Sequence, residues 1–255
     1  MPPLRYFVPN GFTGFSLLLG LASVTMSAQG DYRLAAWMIL WGVLLDKLDG
    51  TAARLMNATS KFGVEFDSFA DFVVFGIAPA ALIYYRLLGT GEFIGWQKGG
   101  IMAVSGLYAL ALAVRLSRFN ITTGGEDIFL GLPGTLMGAT VASSYLTWDK
   151  YSSNTALLIY FPAFLFIAAF LMISSVKLPK MKLTKNKYFN VFLGANVVAA
   201  YACGPLMLLP EYLLGLAVTF TVGGVISCLL HPEKYTAPGS AEESSTEEAA
   251  QERLA

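Results

Sequence analysis

The sequence predicts an all-α protein, a polytopic membrane bundle of about eight transmembrane helices, and three observations carry that expectation. Hydrophobic residues make up 55% of the 255 and charged residues only 13%, which is too apolar for a soluble domain of this length. Apolar stretches long enough to cross a bilayer, about 20 residues each, recur along the chain. Basic residues are dense in alternate loops and sparse in the others, as on the two sides of a membrane. The formal net charge is zero, so no nucleic-acid partner is expected. Cys203 and Cys228 fall inside apolar runs without CxxC spacing, which argues for packing rather than a disulfide framework or a zinc site.

Eight spans follow in order: Gly11 to Ala28, Leu34 to Met56, Phe62 to Leu88, Gly99 to Phe119, Pro133 to Trp148, Thr155 to Val176, Phe189 to Leu209 and Tyr212 to Leu230. The opening MPPLRYFVPNGF leads into an apolar run without a clear small-residue cleavage site, so the first span is expected to remain as a helix. With the N-terminus inside, the cytoplasmic side collects Arg5, Lys47, Arg54, Lys61, Arg115, Arg118, the five lysines between Lys177 and Lys187, Lys234 and Arg253. The other side holds only Arg33, Arg86, Lys98 and Lys150. The protein is therefore expected to be integral and multi-pass, in the cell inner membrane if bacterial.

The second and third spans contain an unusual stretch, DKLDGTAARLMNATSKFGVEFDSFAD, from Asp46 to Asp71. An aspartate at the centre of a membrane helix costs roughly 2.5 to 3.5 kcal/mol on insertion scales, so four of them call for a compensating partner. Asp46 and Asp49 are spaced i, i+3, and Asp67 and Asp71 are spaced i, i+4, so each pair projects from one helix face. Two such faces packed together converge hard oxygen ligands on a divalent cation, and without Cys or His the set suits Mg, Mn or Ca. Gly50 and Ala53 leave the same stripe without bulk, Gly63 does so on the third span, and Arg54 offers a permanent positive charge to a phosphate. A solvated acidic helix end is the bland alternative, but the coincidence of two acid pairs, two glycines and an arginine inside apolar sequence weighs against it.

These residues, D-x-x-D-G-x-x-A-R followed by G-x-x-x-D-x-x-x-D, resemble the signature of the CDP-alcohol phosphatidyltransferase family at Asp46, Asp49, Gly50, Ala53, Arg54, Gly63, Asp67 and Asp71. The resemblance implies a membrane enzyme that moves a phosphatidyl group from a CDP-linked lipid to an alcohol and releases CMP. It further implies two metal ions on the four aspartates, Asp71 as general base and a homodimer. Asn10 and Thr13, in P-N-x-x-T, admit two readings: local helix capping, or contact with CDP as in that family. The continuation DSFADFVVFGIAPA resembles the phosphatidylserine synthase branch; Pro79 within it also predicts a kink one turn earlier.

Arg115, Arg118 and Asn120 form an R-x-x-R-F-N element, followed by F-x-G-L-P at Phe129, Gly131, Leu132 and Pro133, again resembling that branch. Gly134 and Thr135 depart from the small hydroxyl residue and proline expected next, which bears on the acceptor rather than on the reaction. An arginine fork suits the carboxylate of L-serine, so Arg115 or Arg118, with Asn120, is the expected acceptor site. The expected reaction is direct, metal-assisted displacement at the lipid-linked phosphorus of CDP-diacylglycerol by the serine hydroxyl. Alternatives are inositol phosphate or glycerol phosphate as acceptor, an archaeal-type lipid donor or, in another class, a divalent-cation transporter. Residues 1–235 are expected to form the membrane domain and 236–255, acidic and without aromatics, a disordered cytoplasmic tail. The lysine-rich loop reads as a topology anchor and His231 as an interfacial residue.

Overall fold

Pro9, Thr13, Ser16, Gly20, Ser23 and Ser27 recur at steps of three and four along the first helix, and they are its buried face in the computed structural model. Phe15, Leu18 and Leu21 point outward, each more than half exposed. Small and polar inside with large and apolar outside is the packing rule of membrane helices, where lipid removes the drive to bury leucine and small residues let backbones approach. The structure describes residues 4–121, 128–152, 154–174, 176–179 and 187–230.

A 3-10 turn, Leu4–Tyr6, leads into α1 (Phe7–Gln29), which ends on Gly30 in the left-handed region and turns back through Asp31, the N-cap of α2 (Tyr32–Leu55). The two helices lie antiparallel, with Ser23 Oγ donating to the Ala35 carbonyl at 2.9 Å and Ser16 Oγ to the Gly42 carbonyl at 3.4 Å. Helix α3 (Lys61–Asp71) passes through a π-helical turn (Phe72–Ile77) into α4 (Ala78–Leu88). The disturbance expected from Pro79 thus takes the form of a wider turn directly after Asp71, with Pro79 itself in the first turn of α4. Helix α5 (Trp96–Ile121) packs against the π turn, α4 and α7 (Tyr160–Ile173), and α6 (Gly134–Tyr151) packs against α2 and α9 (Pro210–Leu230). Helix α8 (Lys187–Cys203) meets α2 through Tyr201, whose hydroxyl donates to the Leu44 carbonyl at 3.0 Å.

Eight helical stretches therefore occupy the expected places, with α3, the π turn and α4 as one continuous rod. Five of the described stretches are long and apolar enough to cross a membrane: 7–29, 61–88, 96–121, 155–173 and 210–228. Helix α2 carries Arg33, Asp46, Lys47, Asp49 and Arg54, and Asn190–Cys203 is a shorter apolar stretch, so length and composition alone leave the full count of eight open.

The all-α architecture carries one short addition. Strand β1 (Ile128–Leu130) pairs antiparallel with β2 (Lys177–Pro179), tying the segment after α5 to the segment after α7. Gly131 follows at φ +72°, its N–H donating to the Val176 carbonyl at 2.8 Å, and a side chain there would collide with the Met172 carbonyl. The G-L-P element is thus read locally as a turn that only glycine fits. The tail 236–255, His231 and Lys180, Lys182 and Lys185 lie outside the described residues.

Candidate metal and phosphate site

The final turns of α2 and the length of α3 bring the aspartates together. One carboxylate oxygen each of Asp46, Asp49 and Asp67 lies within 4.8 Å of the others. Asp71 joins them, its carboxyl within hydrogen-bond reach of Asp46. Two like charges at that separation repel by roughly 3 kcal/mol at an effective dielectric of 20, and the cluster holds several such pairs. Lys47 reaches Asp46 only at 3.9 Å, with its side chain 70% exposed, and cannot neutralise the group. Four carboxylates with no Cys or His among them suit a hard divalent cation, and the convergence of three oxygens from two helices meets that requirement.

Helix α1 supplies the support. Thr13, 4% exposed, donates its hydroxyl to Asp49 Oδ2 at 2.8 Å, and its Oγ1 also lies 3.1 Å from the Pro9 carbonyl. The capping alternative for Asn10 and Thr13 fails: α1 starts at Phe7, so both residues lie inside the helix. Asn10 Oδ1 stands 3.3 Å from where a Gly63 Cβ would be, so Gly63 lets α1 and α3 meet at the head of the site. Ser60 caps α3 by accepting from the Gly63 N–H at 3.0 Å.

The phosphate side is open. Around Gly50 the only atom near an added side chain is Arg54 Nη1, at 3.9 Å, and Arg54 itself is exposed and donates to Thr51 Oγ1 at 3.4 Å. Ala53 is half-buried on the same helix. Leu55, Phe62 and Phe69, between 65% and 81% exposed, give the rim an apolar face suited to acyl chains.

Helix α5 closes the other side, and the three candidate residues on it part company. Arg115 is half-buried within electrostatic range of Asp71, and its Nε has no hydrogen-bond partner among the described residues. Arg118 donates to the Ile173 carbonyl at the end of α7 at 2.7 Å. Asn120 donates Nδ2 to Ser68 Oγ at 3.0 Å and to Glu65 Oε2 at 3.4 Å, bracing α3 one turn from the aspartates. Glu65 and Ser68 were not singled out by spacing, and no local signal marks them, because Asn120 lies more than fifty residues further on.

The comparison with known proteins agrees with this geometry. The sequence matches the family profile described as CDP-alcohol phosphatidyltransferase over residues 6–178, more than half of the chain. The chain belongs to that family. A Helicobacter pylori protein named CDP-diacylglycerol–serine O-phosphatidyltransferase is 38% identical over 186 residues, 71% of this chain and 75% of its own length. A Bacillus subtilis protein of the same name is 33% identical over 180 residues, 69% of this chain and 92% of its own. An archaetidylserine synthase from Methanothermobacter thermautotrophicus is 37% identical over 165 residues, 64% of this chain and 65% of its own. As a CDP-alcohol phosphatidyltransferase, the chain is a group-transfer enzyme, and the cation-transporter alternative is set aside.

Proposed function

We propose that this chain transfers the phosphatidyl group of CDP-diacylglycerol to the hydroxyl of L-serine, giving phosphatidylserine and CMP. The observation that carries the proposal is the meeting of Asp46, Asp49 and Asp67 within 4.8 Å, with Asp71 against Asp46, at the end of a helix whose next residue, Gly50, faces open space. The names of the bacterial relatives support serine as the alcohol.

The four aspartates hold two divalent ions, Mg, Mn or Ca, which when bound offset the pyrophosphate charge and stabilise the departing CMP. Thr13 keeps Asp49 turned toward the cluster. Asn10, Thr13 and Gly63 border the nucleotide, while Gly50 and Ala53 leave room for the pyrophosphate and Arg54 takes one of its oxygens. The serine oxygen attacks the lipid-linked phosphorus, and the bond from that phosphorus to the bridging oxygen breaks. CMP leaves with that oxygen, and Asp71 accepts the hydroxyl proton as general base. Arg115, within electrostatic range of Asp71 and with its Nε unpartnered among the described residues, binds the serine carboxylate; Arg118 and Asn120 fix the ends of α5, α7 and α3 around it.

Further parts of the proposal concern the setting. All eight helical stretches cross the membrane, the aspartates face the cytoplasm, residues 1–235 form one membrane domain with 236–255 as a tail, and two chains pair as a homodimer. The lysine and arginine asymmetry supports the orientation, and family resemblance supports the pairing.

The test is CMP release from CDP-diacylglycerol by the purified protein, assayed with serine, inositol phosphate and glycerol phosphate and with each cation. Serine-dependent release that stops with chelator is the expected result. Release at full rate without any alcohol would indicate a covalent phosphatidyl-enzyme instead of direct attack. An archaeal-type ether lipid donor, run alongside, separates the archaetidylserine activity. In the same assay Arg115→Lys should raise the KM for serine at least tenfold and the KM for the CDP-lipid less than threefold; equal rises would assign Arg115 a structural role.

A further inference from the structure

The π turn is gripped by glycines from three helices. A Cβ at Gly42 of α2 would collide with Val74 Cγ1, and one at Gly20 of α1 would stand 2.9 Å from Val74 Cγ2 and 3.0 Å from the Val74 Cα. One at Gly138 of α6 would stand 2.9 Å from the Phe75 ring and 3.2 Å from its Cα. Val74 and Phe75 are fully buried. At Gly20 and Gly138 separations of 3.0 to 3.2 Å to backbone atoms leave no room that a side-chain rotation could open, and at Gly42 the obstacle is one methyl of the buried, β-branched Val74, whose other methyl is held at Gly20.

The position of this grip relative to the carboxylates gives it significance. Gly42 lies one helical turn before Asp46 and two before Asp49, on the same face of α2. Val74 lies three residues after Asp71, where the π turn widens the helix and brings the side chain down onto α2. The Val74–Gly42 contact therefore joins the two aspartate-bearing elements about one turn from Asp46 and Asp71. A cation with ligand distances near 2.0 to 2.6 Å tolerates little change in that spacing.

We infer that Gly42, with Val74 seated in it, is a positioning residue that sets the distance between the two aspartate pairs and hence the strength of cation binding. The inference rests on the proposal that the aspartates hold cations. A methyl at Gly42 overlaps Val74 Cγ1, and because Val74 is buried with its other methyl against Gly20, the relief is for α2 to move away from the π turn and carry Asp46 and Asp49 with it. A methyl at Gly138 meets Phe75 with comparable force, but α6 bears none of the aspartates, so its displacement leaves the cluster intact.

The experiment measures Mn2+ binding to the purified full chain by electron paramagnetic resonance, which reads free ion without turnover. The parent is compared with Gly42→Ala, Gly138→Ala and the double variant Gly42→Ala, Val74→Ala. Gly42→Ala should weaken Mn2+ binding at least tenfold. Gly138→Ala should change it less than twofold, and the double variant should recover to within threefold of the parent. Should Gly42→Ala not yield folded protein, Val74→Ile overfills the same notch and should show the same loss. Equal weakening in Gly42→Ala and Gly138→Ala, no weakening in Gly42→Ala, or no recovery in the double variant would each overturn the inference. Absence of Mn2+ binding by the parent would instead remove the cation assignment on which it rests.

Discussion

At the scale of single residues, the separation of roles among the acids and their hydroxyl support can be measured. Asp71→Asn keeps the volume of the side chain but cannot take a proton, and general-base assistance of this kind contributes roughly 10²- to 10⁴-fold. Serine-dependent CMP release should therefore fall at least a hundredfold in Asp71→Asn while CDP-diacylglycerol still binds, as followed by equilibrium binding of labelled nucleotide lipid. Thr13 donates to Asp49, a proposed cation ligand, so its effect should appear in cation requirement. Residues that orient metal ligands are typically worth about 10- to 100-fold in affinity. Thr13→Val should raise the Mn2+ concentration for half-maximal activity by about tenfold, and Thr13→Ser, which keeps the hydroxyl, should restore it. Loss of kcat in both variants at saturating Mn2+ would instead speak for direct contact with the nucleotide. The acids were legible in the sequence because spacings of three and four residues fix a helix face whatever the fold around it. The bond from Thr13 to Asp49 was not, since it joins positions 36 residues apart and P-N-x-x-T looks the same whether it caps a helix or lines a site.

At the scale of elements, the departures from expectation have local causes. Three-residue strands lie below any periodicity a sequence can display, so the ribbon of β1 and β2 was hidden, and so was the reason for Gly131. That position combines φ +72° with a carbonyl where a side chain would be. A non-glycine residue held there costs about 1 to 3 kcal/mol. Gly131→Ala should lower the melting temperature of the detergent-solubilised protein by roughly 5 °C, read by intrinsic fluorescence. Mn2+ affinity should stay at the parent value, because the ribbon joins α5 and α7 rather than α2 and α3. The π turn was half legible: Pro79 announced an interruption, but whether a helix kinks or widens depends on what its neighbours leave room for, and here Gly20, Gly42 and Gly138 decide.

At the scale of the whole molecule, eight helical stretches follow the apolar pattern closely, and lipid-facing leucines made them visible. Their burial could not be read the same way, because the residues turned inward on α1 are proline, threonine, serine and glycine. The proposed orientation predicts a labelling pattern. In a background with Cys203 and Cys228 replaced by alanine, a cysteine at Asn57 should react with a membrane-impermeant maleimide only from the cytoplasmic side. A cysteine at Asn154 should react only from the opposite side. Labelling of both positions from one side would rule out the three crossings proposed between them, the 61–88 rod, α5 and α6.

The aspartates and the groups proposed to border the nucleotide all precede the π turn, whereas Arg115, proposed to meet the alcohol, stands on a helix that begins at Trp96. On that proposal, substitutions in the later half of the chain can retune the choice of alcohol and leave untouched the earlier half that would hold the activated lipid.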